Sequence, residues 1–136
     1  MIDVRTGTLT FDGWSVGPGT DEPTFATASA LHVERTQRDM GDYSHHSLRG
    51  LTLGKALFHA TFTFHAERLE RVSLAMPTGS AGWDAWSEEA EQRRKRGHDE
   101  WLEAQLGPGP YDYSWGSVCS KYYPQSGEST ITVSYP

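Results

Sequence analysis

The chain has one cysteine, Cys119, among its 136 residues. That excludes an intrachain disulfide and any metal site built from several cysteines. Cations are scarce as well: 12 Lys and Arg stand against 18 Asp and Glu, for a formal net charge of −6. A chain with this balance is a poor partner for duplex nucleic acid or an anionic membrane unless its cations cluster, and Arg93-Arg94-Lys95-Arg96 is short and interleaved with acids. No stretch approaches the ~18 apolar residues of a membrane span, and no basic start followed by an apolar run marks a secretion signal. The expected setting is soluble and cytoplasmic.

Signatures of chemistry are missing too. Gly107 and Gly109 precede a strand and lack the Gly-Lys-Ser/Thr ending of a phosphate-binding loop, the dinucleotide pattern is absent, and His98-Asp99-Glu100 does not complete a zinc-protease motif. Cys119 falls in a strand pattern with no nucleophile signature around it, so it reads as a small core or sheet-face residue. His45 and His46 are adjacent, and adjacent residues on an extended chain point to opposite faces. His59 and His65 share a face but are separated by roughly 20 Å at ~3.3 Å per residue. Neither pair is expected to hold a metal, and no catalytic residue or cofactor is predicted.

What the chain does have is aromatic residues and periodicity. Hydrophobic residues make up only 36%, but five Trp, six Tyr and five Phe supply much of the missing core volume. The length predicts a single domain over residues 1–136. Trp83 to Gly107 carries the one clear helical period, with Trp83, Trp86, Ala90, Gly97 and Trp101 in one stripe beside Leu102 and Leu106. Glu89, Glu91 and Arg96, each four residues before an opposite charge, define a solvated face. Arg94 and His98 lie along the stripe, so either they flank it with their heads in water, the expected case, or one enters the core with a partner. Gly97 is expected to let the helix approach a strand closely. Leu106-Gly107-Pro108 is a stop signal.

Around this helix the pattern is that of strands. Asp12-Gly13 between alternating apolar residues predicts a type I′ hairpin pairing Phe11 with Trp14 and Leu9 with Val16. Thr20 or Asp21 could cap a short helical turn through Pro23 and Phe25. Ala30 to Val33 looks like a short strand, and residues 35–46 look like an exposed loop. From Lys55 to Met76 the alternation is strict: Phe58, Ala60, Phe62 and Phe64 face one way, and His59, Thr61, Thr63 and His65 the other. After the helix comes a tyrosine-rich loop, GPGPYDYSWG, then a last hairpin of Val118–Tyr122 with Ile131–Tyr135. The fold class is α+β: an antiparallel, meander-like sheet of about five to seven strands, with one long helix over about residues 84–106 packed across one face.

Two loops pair tyrosine with acids: Tyr111, Asp112 and Tyr113 in one, Asp39, Asp42 and Tyr43 in the other. Tyrosine adds contact area at low entropic cost and acids steer association with a basic partner, so these six are the candidate partner-binding residues. The order of segments also resembles a family of small uncharacterised bacterial proteins. The motifs shared with it are His98-Asp99, Trp101-Leu102 and Leu106-Gly107, then Trp115-Gly116, Val118, Ser120 and Tyr122, then Ile131, Val133 and Tyr135. Proteins of this kind are similar to immunity proteins of contact-dependent toxin systems. The resemblance implies a cytoplasmic inhibitor-type protein, monomeric or weakly dimeric, that binds a cognate toxin or effector domain and neither nucleic acid nor membrane. Two alternatives are a small-molecule-binding protein or enzyme using the polar face of His59, Thr61, Thr63 and His65, and a secretion adaptor or chaperone.

Overall fold

The computed structural model describes residues 1–29, 33–38, 41–77 and 87–136. The strands are β1 (Leu9–Thr10), β2 (Ser15–Val16), β3 (Val33–Arg38), β4 (Tyr43–Leu53), β5 (Ala56–His65), β6 (Arg68–Ala75), β7 (Tyr111–Tyr113), β8 (Gly116–Tyr123) and β9 (Glu128–Ser134); the helices are α1 (Glu22–Ser29) and α2 (Glu88–Leu106). Seven strands form one antiparallel sheet in the order β3-β4-β5-β6-β9-β8-β7, and β1 and β2 form a separate ribbon. The fold is α+β, with α2 packed on one face of the sheet. It is a meander on each side of one non-sequential contact, where β9 returns to pair with β6 from Arg71↔Ser134 to Leu74↔Ile131.

The opening hairpin has the predicted register, with Leu9 opposite Val16 and the Phe11 amide donating to the Trp14 carbonyl at 2.8 Å. Its turn is not type I′, because Gly13 takes positive φ (83°) while Asp12 does not. Asp21 caps α1 by accepting the Thr24 amide at 2.8 Å. Of residues 35–46, expected to be a loop, 35–38 lie instead on β3 and 43–46 on β4, paired with each other. Residues 30–32, within the expected short strand, lie outside the described residues. Tyr111–Tyr113 is likewise an edge strand on β8 rather than a loop.

The helix departs from its sequence reading in four ways. Ser87, in extended conformation, is its N-cap and accepts the Ala90 amide at 3.0 Å, so Glu88 is its first residue; Trp83 and Trp86 lie outside the described residues. His98 is fully buried instead of flanking the stripe, and its Nε2 accepts the Met76 amide at 3.0 Å just beyond the end of β6. Glu91, expected on the solvated face, is buried and accepts the Ser129 amide at 3.1 Å. The exposed pairs are Glu89–Arg93, as expected, and Lys95–Asp99. Gly97 makes no close approach to a strand: a Cβ there would meet Met76 Sδ at 3.4 Å, an ordinary contact.

The core lies on the phenylalanine face of β5, which three separate elements cover. Trp101 packs edge-on against Phe58 at 4.9 Å and donates its indole N–H to the Gly54 carbonyl. Phe11, Trp14 and Phe25, from the ribbon and α1, lie 5.8, 5.8 and 4.8 Å from Phe62. Fully burying one aromatic side chain contributes about 1.5–3 kcal/mol, so this cluster supplies much of what holds the sheet.

Candidate functional site

The strict alternation that seats the core also fixes what lies on the reverse of the sheet. Cross-strand neighbours His45↔Thr63, Ser47↔Thr61 and Thr63↔Arg71 place the polar residues of β4, β5 and β6 on one continuous face. Thr132 of β9 lies opposite Ser73 of β6 and adds another hydroxyl to it. The sheet twists, and this face forms a concavity of about 960 Å³. It is lined by His45, Ser47, Arg49, His59, Thr61, Thr63, Arg71, Ser73, Thr130 and Thr132, with Tyr123 and Glu128 at the β8–β9 turn. Arg94 of α2 completes the lining near the end where the β6–β9 ladder stops.

Local order here comes from the polar groups themselves. His45 Nδ1 and the Thr63 hydroxyl are 3.0 Å apart, and the Ser47 and Thr61 hydroxyls 3.4 Å apart. Arg94 Nη1 lies 3.5 Å from the buried Glu91 carboxylate, while its Nε is buried with no hydrogen-bond partner among the described residues. Chemically, the face offers guanidinium donors, imidazoles and hydroxyls. Of the polar residues picked out from sequence, His59, Thr61 and Thr63 line the concavity; His65 is exposed at the end of β5, where its ring stacks on Tyr43 at 4.4 Å. The arginines were not picked out, because Arg49, Arg71 and Arg94 are far apart in sequence and only strand register brings them together.

The six partner-binding candidates do not form one surface. Tyr43 begins β4 and Tyr111–Asp112–Tyr113 form β7, with β5, β6, β9 and β8 between the two strands; Asp39 lies outside the described residues. Asp42 and Tyr43 border a separate hollow of about 670 Å³ with Glu22, Arg38 and Glu67. On β7, Tyr111 donates its hydroxyl to the Gly107 carbonyl at 2.9 Å, and Tyr113 stacks on Trp115 at 5.0 Å. Both rings are half-buried and Asp112 is exposed. Desolvation and the nearby Glu103 carboxylate, followed by Tyr113 and Asp99, raise the Tyr111 phenol above its ordinary value. The acids of the last turns of α2 therefore gather around Tyr111.

A second polar cluster lies buried under α1. Glu22 Oε2 accepts from the Ser44 hydroxyl at 2.5 Å and from His46 Nε2 at 2.7 Å, and the Thr36 hydroxyl sits 3.0 Å from His46 Nδ1. Burial raises the Glu22 carboxyl, but the hydrogen bonds from Ser44 and His46 and the Arg38 charge outweigh it and hold the group below the usual range. Hydroxyl, imidazole and carboxylate in this order activate a nucleophile in triad enzymes. Here Thr36 is the direct cross-strand neighbour of His46, so the contact follows from register alone. The cluster ties α1 to the first two strands of the sheet.

No group of three or more His, Cys, Asp or Glu is placed to hold a metal ion among the described residues. No helix among them is long and apolar enough to cross a membrane. Cys119 is exposed on β8 opposite Thr132, on the polar face. Comparison of the chain with protein-family models, with curated proteins and with solved structures finds no match.

Proposed function

We propose that this is a binding protein whose working surface is the polar face of the sheet, where it holds a small polar molecule. The observation that carries this reading is the concavity of about 960 Å³ lined by side chains of β4, β5, β6 and β9. Its volume falls within the ~300–1,000 Å³ range of small-molecule sites. Strand positions hold such groups more rigidly than loops do. Amide-detected NMR of the full chain against a mixed library of polar metabolites tests it. Shifts concentrated on residues 45–49, 59–63, 71–75 and 130–132 support the reading. A library that perturbs no residue of this face, or perturbs another surface instead, overturns it.

A second reading is the inhibitor or immunity-type protein that the resemblance implies, and the β7 edge favours it. Glu103 and Asp99 lie near the half-buried Tyr111, and Asp112 is exposed on the same strand, acids suited to a basic toxin domain. Co-expression with a toxin encoded beside the gene is the test. Rescue and a complex that Asp112→Lys abolishes would support it, and the absence of both rescue and complex would sink it.

A further inference from the structure

We infer that the ligand of the polar concavity is anionic, a small molecule carrying a phosphate group; the inference rests on the reading of that face as a ligand site. Across the whole chain acids outnumber Lys and Arg by 18 to 12. The concavity is lined by three arginines, Arg49, Arg71 and Arg94, and one acid, Glu128, with Arg94 also paired to Glu91 at 3.5 Å. An acidic protein gathers its cations on one face only against a Coulombic cost, since like charges in a shared hollow repel. An anion relieves that repulsion.

The donors have the right chemistry for phosphate. A guanidinium presents N–H groups in a planar fork that matches phosphate oxygens, and a phosphomonoester carries about −1.5 to −2 charges at neutral pH. Arg94 supplies an independent sign of an absent partner. Its side chain is largely enclosed, its Nη1 has one long contact to Glu91, and its Nε is buried without a hydrogen bond among the described residues. A buried charged donor left unmatched is costly, and a ligand oxygen would satisfy it. Arg71 stands on β6 opposite Thr63 of β5, so a threonine hydroxyl lies beside it on the floor of the hollow. Arg49 and Arg71 sit two strands apart and about four residues apart along the strands, roughly 16 Å, so each meets a different part of the hollow instead of both converging on a single point.

The experiment titrates the full chain, by NMR and calorimetry at low salt, with inorganic phosphate, AMP, adenosine, citrate and putrescine, and with vesicles containing phosphatidic acid. The inference expects AMP to bind on the polar face more tightly than adenosine, with binding weakened by added salt. Arg71→Gln should weaken AMP by about tenfold or more, as expected for a lost charge-assisted hydrogen bond, with an unchanged thermal midpoint. Arg94→Lys, which keeps the charge and removes the fork, should weaken AMP while retaining the fold by circular dichroism. Equal binding of adenosine and AMP, binding of citrate but of neither phosphate nor AMP, or binding of vesicles alone each overturns the phosphate inference. Adenosine or putrescine shifting the face while every anion is silent overturns it too, and leaves the ligand-site reading standing. Silence of all probes on this face removes both.

Discussion

On β5, Phe58, Ala60, Phe62 and Phe64 point to one side of the sheet and His59, Thr61 and Thr63 to the other. The first side is closed by three separate elements: the opening ribbon, α1 and α2. Among the described residues, the second receives from outside the sheet a single side chain, Arg94. One strand thus serves two ends, since a period of two residues lets packing and recognition be specified on alternate positions without compromise. Stability belongs to the aromatic face. The proposed ligand site is on the other, and substitutions should separate the two.

The largest expected effect is on the closed side. Phe62 contacts Phe11, Trp14 and Phe25 and is fully buried, so Phe62→Ala removes the ring on which the ribbon and α1 both rest. A loss of about 3–5 kcal/mol in urea denaturation is expected. A loss below about 1 kcal/mol would mean that the ribbon and α1 do not depend on the aromatic face, and the contrast between the faces would fail.

The next effect depends on pH and concerns how the helix closes that side. Burial above all, with the Arg94 charge beside it, lowers the His98 imidazole from 6.5 to about 4. The folded state therefore keeps His98 neutral, with Nε2 as the acceptor for the Met76 amide, while the unfolded chain binds a proton near 6.5. Above 6.5 neither state is protonated and nothing changes. As the pH falls from 6.5 towards 4, the unfolded state gains protons that the folded state refuses, and stability drops by a total on the order of 3 kcal/mol. Denaturation midpoints measured across this range should fall in the native protein and flatten in His98→Gln. An equal slope in both would assign the loss to other groups.

How much of this could be read beforehand depends on where each residue's partner lies. The Leu9↔Val16 register and the β5 alternation were legible because turn chemistry and period are local properties. The β3–β4 hairpin was not, because its inward positions carry Ser44 and His46, whose buried partner Glu22 sits on α1. A buried polar cluster erases the apolar alternation by which strands are recognised. His98 looked like a flanking residue for the same reason: what draws it inward is a free amide at Met76, 22 residues earlier. The concavity was half legible, as a polar face with its threonines and histidines. Its arginines come from three elements, and neither their placement around one hollow nor the hollow itself has any signature along the chain.

A gain of stability is expected at Gly97. The glycine is in the interior of α2, its φ is not positive, and among the described residues a Cβ would find Met76 Sδ at 3.4 Å and nothing closer. Gly97→Ala should stabilise the protein by up to about 1 kcal/mol through helix propensity alone. If it destabilises, α2 lies closer to the end of β6 than the 3.4 Å clearance allows. The closed side would then be packed too tightly to accept even one added carbon.

The smallest effect is expected on the open side, and it is the sharper test of the contrast. Thr61 is half-buried, and its hydroxyl has one weak contact, to the Ser47 hydroxyl at 3.4 Å. Thr61→Val keeps the β-branched shape that suits a strand and removes only the hydroxyl, so stability should change by no more than about 0.5 kcal/mol in either direction. A loss above about 1.5 kcal/mol would show that the polar face is a second packed interior, with its hydroxyls committed to holding the sheet. A neutral or slightly stabilising result carries the opposite implication. Valine would then be an adequate strand residue at this position, and the hydroxyl would contribute nothing the fold requires. The hydroxyl would then be free to serve the ligand proposed for this face without loss to the fold.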